Sequence, residues 1–224
     1  MDEEAETIEA AQRRHERHLD LAEIIAALVL SVAAFLTSWA GFQAALWDGE
    51  QAAAYTRAGA ARVEASRLAM QNGQLEAVDL FLFSQWLDAV AQEEPRLQAF
   101  YHRRFRPAFR PAFDAWIALK PLHNLSAPPT PFAMTDYAMP LRNEAARMER
   151  EADRLFADGE RANNISDAFV QATVILALAL FLGGIGQTFK RPRVRLALIS
   201  LAAVACIVGL VQLLQLPALR LTMG

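Results

Sequence analysis

Three uncharged apolar runs, Ile24 to Phe42, Ala168 to Phe189 and Leu196 to Leu214, restrict this chain more than any other feature. Each is close to the ~20 residues that a helix needs to cross a ~30 Å hydrocarbon core. The chain is also 54% hydrophobic over 224 residues, which is high for a soluble domain of that length. The second and third runs are separated only by the stretch from Lys190 to Arg195, so they read as a helical hairpin. Pro192 is expected to stop the helix there, because proline cannot continue the hydrogen-bond ladder.

Orientation follows from Lys and Arg, which are enriched on cytoplasmic flanks. Arg13, Arg14 and Arg17 precede the first run, and Lys190, Arg191, Arg193 and Arg195 fill the hairpin turn. Both flanks agree when the N-terminus and the turn are cytoplasmic. The first run competes with a cleaved signal peptide. Its acidic leading tail, its length and the helical pattern running on through Trp39 to Gln43 fit an uncleaved anchor.

The expected organisation is therefore a charged cytoplasmic tail (1–20), a first span (21–45), an extracytoplasmic helical bundle (46–166), a second span (167–189), a basic cytoplasmic turn (190–195), a third span (196–216) and an extracytoplasmic tail (217–224). In the first segment Ile8, Ala11 and His15 form a thin apolar face of a short helix, with disorder the expectation at the extreme N-terminus.

Beyond the first span, Ala54, Ala58, Ala61, Ala65 and Leu68 alternate steps of four and three, the coiled-coil period with small residues at the seam. Leu141, Ala145, Met148, Ala152 and Leu155 repeat it on the way back. The rise of ~1.5 Å per residue puts the two seams at matching heights, which predicts an antiparallel pair. Gly73, between Asn72 and Gln74, is the first expected break in the outgoing rod. A helix over Leu75 to Ala91 follows and ends at Glu93-Glu94-Pro95. Residues 120–140 hold five prolines and read as a long irregular connection over the tip. The fold class is all-α: three transmembrane helices, with a helical bundle built on extensions of the first two.

The most distinctive local pattern is Phe105-Arg106-Pro107-Ala108-Phe109-Arg110-Pro111-Ala112-Phe113, with Tyr101 before it and Trp116 after. Prolines 107 and 111 should interrupt a helix whose one face is nearly all ring. Two readings stand: a kinked cap whose rings fill a core while its arginines stay in solvent, or a partner-binding surface of Arg103, Arg104, Phe105, Arg106, Phe109, Arg110, Phe113 and Trp116. Within the spans, Ala33, Thr37, Gly41 and Ala45 place a small residue every four positions, and Gly183 and Gly184 are small residues of the second span. Small residues permit close packing where lipid supplies no hydrophobic drive, first within the three-helix set and next in self-association. Trp39 and Trp47 suit membrane-interface anchors.

Carboxylates and amides at the junction, among them Asp48, Glu50, Asp158, Asn163 and Asp167, read as helix caps or as a cation or proton site. His15 and His18, with Glu16 and Asp20, have a spacing open to a metal, but no further ligand cluster accompanies them. No phosphate loop, nucleophile elbow or zinc motif occurs, so no cofactor, metal or catalytic residue is assigned. The net charge of -3 and the lack of a basic aromatic stretch set nucleic acid aside. Cys206 is the single cysteine, so no internal disulfide braces the outer segment. Asn124-Leu125-Ser126 and Asn164-Ile165-Ser166 match glycosylation sequons, a short pattern.

The stretch from Thr37 to Trp47, Glu50-Gln51-Ala52, Gln85-Trp86-Leu87, Phe105-Arg106-Pro107 and the late three-span layout resemble a group of bacterial membrane proteins with no assigned function. The resemblance covers most of the chain. It implies the fold and an inner-membrane location, and it carries over no site residues. The expected partners are the lipid bilayer and either further copies or the other subunits of a membrane complex, bound non-enzymatically. A ligand sensor acting through the first span, and an oligomeric channel using Ser31, Thr37 and Ser38, are the alternatives.

Overall fold

The computed structural model describes residues 2–121 and 123–219, with side chains from residue 23 onward. Helix α1 (Asp2–Ala91) is followed by α2 (Pro95–His102), α3 (Arg110–Ala118), a 3-10 turn at Pro131–Ala133, α4 (Pro140–Thr188) and α5 (Pro192–Gln215). Among the described residues every regular element is helical, and three helices are long and apolar enough to cross a membrane: α1, α4 and α5. The expectations for Ile8, Ala11 and the His15 and His18 pair concern side chains outside the described ones, and 220–224 are outside as well.

The chain divides into two compact units, Met1–Tyr55 with Ala157–Gly224, and Thr56–Phe156. In the first, α1, α4 and α5 pack around Ala33, Ala40, Ala44, Phe169, Ala172, Leu176, Ala179, Cys206 and Leu213. Six of these nine are Ala or Cys, so the helices meet across short side chains, which suits a lipid environment where van der Waals contact replaces the hydrophobic drive. Polar bonds supplement it. The Ser166 hydroxyl donates to the Ala44 carbonyl at 3.1 Å, and the Gln212 amide donates to Gln171 Oε1 at 3.1 Å and to the Ala168 carbonyl at 3.3 Å.

The four-residue stripe on α1 turns out to be only half used. Ala33 is buried and Thr37 half-buried, whereas Gly41 and Ala45 are exposed. Steps of four advance 400° and drift off a helix face, while the buried positions Ala26, Ala33, Ala40 and Ala44 keep the average of 3.5 that holds a straight seam. On α4, a methyl group on Gly183 would meet Leu30 of α1 and Ala202 of α5, but one on Gly184 would meet nothing. Gly186 and Gly209 supply the other close approaches, against Leu198 and Leu176.

As expected, α4 ends at Thr188 ahead of Pro192, and Pro192 then opens α5, occupying a first-turn position where its missing N–H costs nothing. Arg195 therefore lies on α5 and pairs with Glu23 of α1 at 3.1 Å. The segment after α5 returns to α1: Gln43 is buried, its amide donates to the Leu219 carbonyl at 3.1 Å, and the Leu219 N–H donates back to Gln43 Oε1 at 2.9 Å. Trp47 Nε1 donates to the Pro217 carbonyl at 3.0 Å, and Trp39 meets Phe169 edge to face at 5.9 Å.

In the second unit α1 continues unbroken through Gly73 to Ala91. A lone glycine costs a helix only ~1 kcal/mol relative to alanine, too little to end one that continues on both sides. The reversal comes at Glu93, held in the left-handed region at φ 56°, with the Glu94 N–H donating to the Ala89 carbonyl at 3.0 Å. That local closing bond satisfies an otherwise orphaned helix-end carbonyl. Helix α4 runs antiparallel to α1: Arg62 donates to Asp153 at 3.1 Å, and Asn72 contacts Met139 Sδ at 3.9 Å. Ala58, Ala65, Leu68, Ala145 and Ala152 are buried on these two helices.

One close approach in the first unit is open to direct test. A methyl group on Gly159 would lie 2.5 Å from Tyr55 Cε1 and 2.6 Å from Cδ1. We expect Gly159→Ala to lower the melting temperature in detergent by overpacking, at ~1–3 kcal/mol. Gly184→Ala, with open space around it, should leave the melt unchanged or raise it. Equal melting of the two variants would contradict this packing.

Candidate functional site

The side chains that could carry chemistry concentrate in the second unit, where the aromatic repeat folds against the end of α1. Helix α2 stops at His102, Pro107 sits in the turn that follows, and Pro111 falls in the first turn of α3, where it is tolerated. The chain thus bends between Phe105 and Phe109, and the rings of Phe105, Phe109, Phe113 and Trp116 converge on Phe83 and Trp86 of α1. Their contacts are mostly edge to face: Phe83 to Trp116 at 5.5 Å, Trp86 to Phe113 at 4.9 Å, Phe105 to Phe109 at 5.1 Å. Phe132 and Tyr137, from the connection that follows, close the cluster against Phe109 at 5.0 and 5.7 Å. Trp116 Nε1 donates to the Pro128 carbonyl at 2.7 Å, so the indole satisfies its donor inside the apolar cluster.

Beside these rings lies a buried ionic group that the hydrophobic pattern did not anticipate. Asp79 of α1 is 0% exposed. The Arg106 guanidinium grips it with two donors, Nε to Oδ1 at 2.8 Å and an Nη to Oδ2, and the Tyr137 hydroxyl donates to Oδ2 at 3.0 Å. An isolated buried carboxylate would be costly; a bidentate guanidinium and a phenol satisfy it from two sides. Asp79 holds Arg106 firmly protonated, and burial together with the bond to Asp79 pushes the Tyr137 hydroxyl well above its ordinary value.

The eight residues considered as a partner surface therefore part company. Phe105, Phe109, Phe113 and Trp116 are buried core, and Arg106 is committed to Asp79. These five present no free contact face in the folded chain. Arg110 is exposed but donates to the carbonyl of Phe105 at 3.2 Å, holding the bend. Arg103 and Arg104 are exposed. The Arg104 guanidinium lies 3.4 Å from the centre of the Phe100 ring and donates to the Phe100 carbonyl at 3.2 Å. Phe100 was absent from the sequence-derived set, although Phe100 and Arg104 stand one helical turn apart.

Helix α2 carries Phe100, with Arg104 just past its end, and buries none of its residues. It is tied down by polar bonds, Gln98 to the Ala89 carbonyl at 3.3 Å and His102 to Asp114 at 2.8 Å. Leu97 and Phe100 are left exposed on it. Farther along the unit, Phe83, Leu87, Trp116, Pro121, Leu125 and Pro128 line an open groove of ~380 Å3. Among the described residues no group of three or more His, Cys, Asp or Glu side chains is placed to hold a metal ion. The sequence matches no protein-family model, and no curated protein or solved structure matches it.

Removing one partner of a buried ion pair strands the other, so Asp79→Ala should destabilise the second unit by ~3–5 kcal/mol. Asp79→Leu combined with Arg106→Met should recover most of that loss, read from thermal unfolding of the full chain. A double variant as unstable as the single one would show that the charges themselves are needed. For Tyr137, a raised folded value means that its stabilisation is complete below the ordinary 10.0 and is lost as pH rises beyond it. Melting temperature should fall above pH 10.0 more steeply in the parent than in Tyr137→Phe.

Proposed function

We propose that this chain is a non-enzymatic, multi-pass protein of the bacterial inner membrane, and that its second unit lies outside the cytoplasm and binds other proteins as part of a membrane complex. The observation that carries this reading is α2. A helix with no buried residue that exposes Leu97 and Phe100, with Arg104 stacked on that ring and Arg103 beside it, has the composition of an interface anchor. Aromatic and arginine side chains dominate the few positions that carry most binding energy.

Two polar groups nearby are already engaged. Asp79 and Arg106 satisfy each other, and His102 is held by Asp114. Lys190, Arg191 and Arg193 are exposed at the turn between α4 and α5, which supports a cytoplasmic turn by the positive-inside bias. That orientation supports a periplasmic second unit.

The test is recovery of partners from native membranes with the full chain and with Phe100→Ala/Arg104→Glu. Each anchor is worth at least ~1.4 kcal/mol, so co-purifying proteins should fall about tenfold or more while folding is retained. A parent chain that comes out alone, or a partner set that the double variant leaves intact, would sink the proposal.

A further inference from the structure

Helix α1 has a second face. In the second unit the positions Gly59, Val63, Ser66, Met70, Gly73 and Ala77 follow the same four-three spacing as the buried seam, and all of them are exposed. Val63 is 71% and Met70 67% exposed, and Leu80 and Phe81 extend the face. None of these positions is charged. The one hydroxyl among them, on Ser66, donates back to the Arg62 carbonyl at 3.0 Å, so the face has no polar side chain that burial would strand.

The glycines add an independent observation. Gly59 and Gly73 each have open space where a side chain would stand, so nothing within the chain requires them. Each nevertheless costs the helix ~1 kcal/mol relative to alanine. Gly159, Gly183, Gly186 and Gly209 on α4 and α5 all serve close contacts inside the chain, and no glycine of α1 does. A glycine repeated at seam positions is explained by a neighbour that approaches the backbone from outside.

We propose that this face of α1 is the pairing surface for a second copy of the chain, with the two α1 helices parallel and in register. The proposal rests on the reading of the second unit as protein-binding and names its partner. Charge favours a copy. Arg62 is held by Asp153 at 3.1 Å and Glu149 at 3.7 Å, and Arg67 by Glu64 at 2.8 Å, so the arginines flanking the face are neutralised within the chain. A strongly charged partner would find little to pair with there beyond the exposed Glu76, whereas a copy brings arginines that are already neutralised. Geometry favours it too. Two copies inserted in one bilayer present α1 in the same direction, and an in-register pair sets Val63 against Val63 and Met70 against Met70, with the glycine and serine layers between them. In the first unit, Phe42, Ala45 and Gly49 continue the same heptad positions and are likewise exposed.

The full chain in nanodiscs, with Cys206→Ala as background, is given Val63→Cys, Met70→Cys or, as a control on the exposed side of α4, Arg150→Cys, and is oxidised with copper phenanthroline. Disulfides demand close and correctly directed Cβ atoms. Covalent dimers at 63 and 70 but not at 150 are expected. The parent mass should be a dimer that falls to a monomer in Gly59→Leu/Gly73→Leu, whose new side chains meet nothing inside the chain. No bridging at 63 and 70, equal bridging at 150, or a dimer that survives both leucines overturns the pairing. If such a chain still recovers other proteins through Phe100 and Arg104, the protein-binding reading stands and only this partner is wrong. A solitary monomer overturns both.

Discussion

The seam along α1 is the constraint on which the rest of the structure depends. Ala44, Ala58, Ala65, Asp79 and Trp86 fall on one seven-residue series, Ala26, Ala33, Ala40, Ala54, Leu68 and Ala89 on the other, and all are buried. Alanine lets neighbouring axes come close, which matters in lipid, where contact and not water exclusion holds helices together. Outside lipid the same alanines contribute little, at ~0.8 kcal/mol for each buried carbon. In the second unit, Phe83 and Trp86 at the end of the seam meet the rings of α3 and the connection after it. Each such ring is worth ~2–3 kcal/mol of burial, several times an alanine.

Asp79 is the exception on that seam, and its partner decides what it does. A buried ion pair adds little net stability over a well-packed apolar pair, but it excludes alternatives. The repeat from Phe105 to Phe113 offers two nearly identical units, each Phe-Arg-Pro-Ala, and a slip by four residues would place equivalent rings in equivalent holes. Only Arg106 reaches Asp79; Arg110 caps the Phe105 carbonyl instead. The two copies of the repeat thus differ in what their arginines hold: Arg106 binds α1, and Arg110 binds the bend itself.

Much of this was legible in the sequence because its signals were long and redundant. Three apolar helices, the proline-rich connection over 120–140 and the convergent aromatic face each rest on many residues. The misreadings came where one residue weighs two nearly equal options. Gly73 costs about what a helix can absorb, so spacing could not say whether α1 ends there. Gly41 and Ala45 stay exposed within the chain because the drift of a four-residue step turns them outward, which spacing alone did not show. Asp79 fits the seam by period and violates it by polarity. Its resolution depends on Arg106 and Tyr137, both far along the chain, and no local pattern carries that information. Gln43 was equally hidden, because its partner is the backbone of Leu219.

These two faces of α1 also bear on how the chain handles polar atoms. Where α1 is covered, its polar seam residues are matched by specific groups: Gln43 by Leu219, Gln51 by Asn163 at 2.8 Å, Asp79 by Arg106 and Tyr137. Where it is bare, between Gly59 and Ala77, the side chains at the seam positions are small or apolar and the lone serine bonds to its own helix. A helix face meant for water has no reason to avoid charge over so many turns, since Lys, Arg and Glu are good helix formers and keep the surface soluble. Glycine there would be worse still, exposing backbone and costing helix stability. The composition of the bare face is thus that of a covered one.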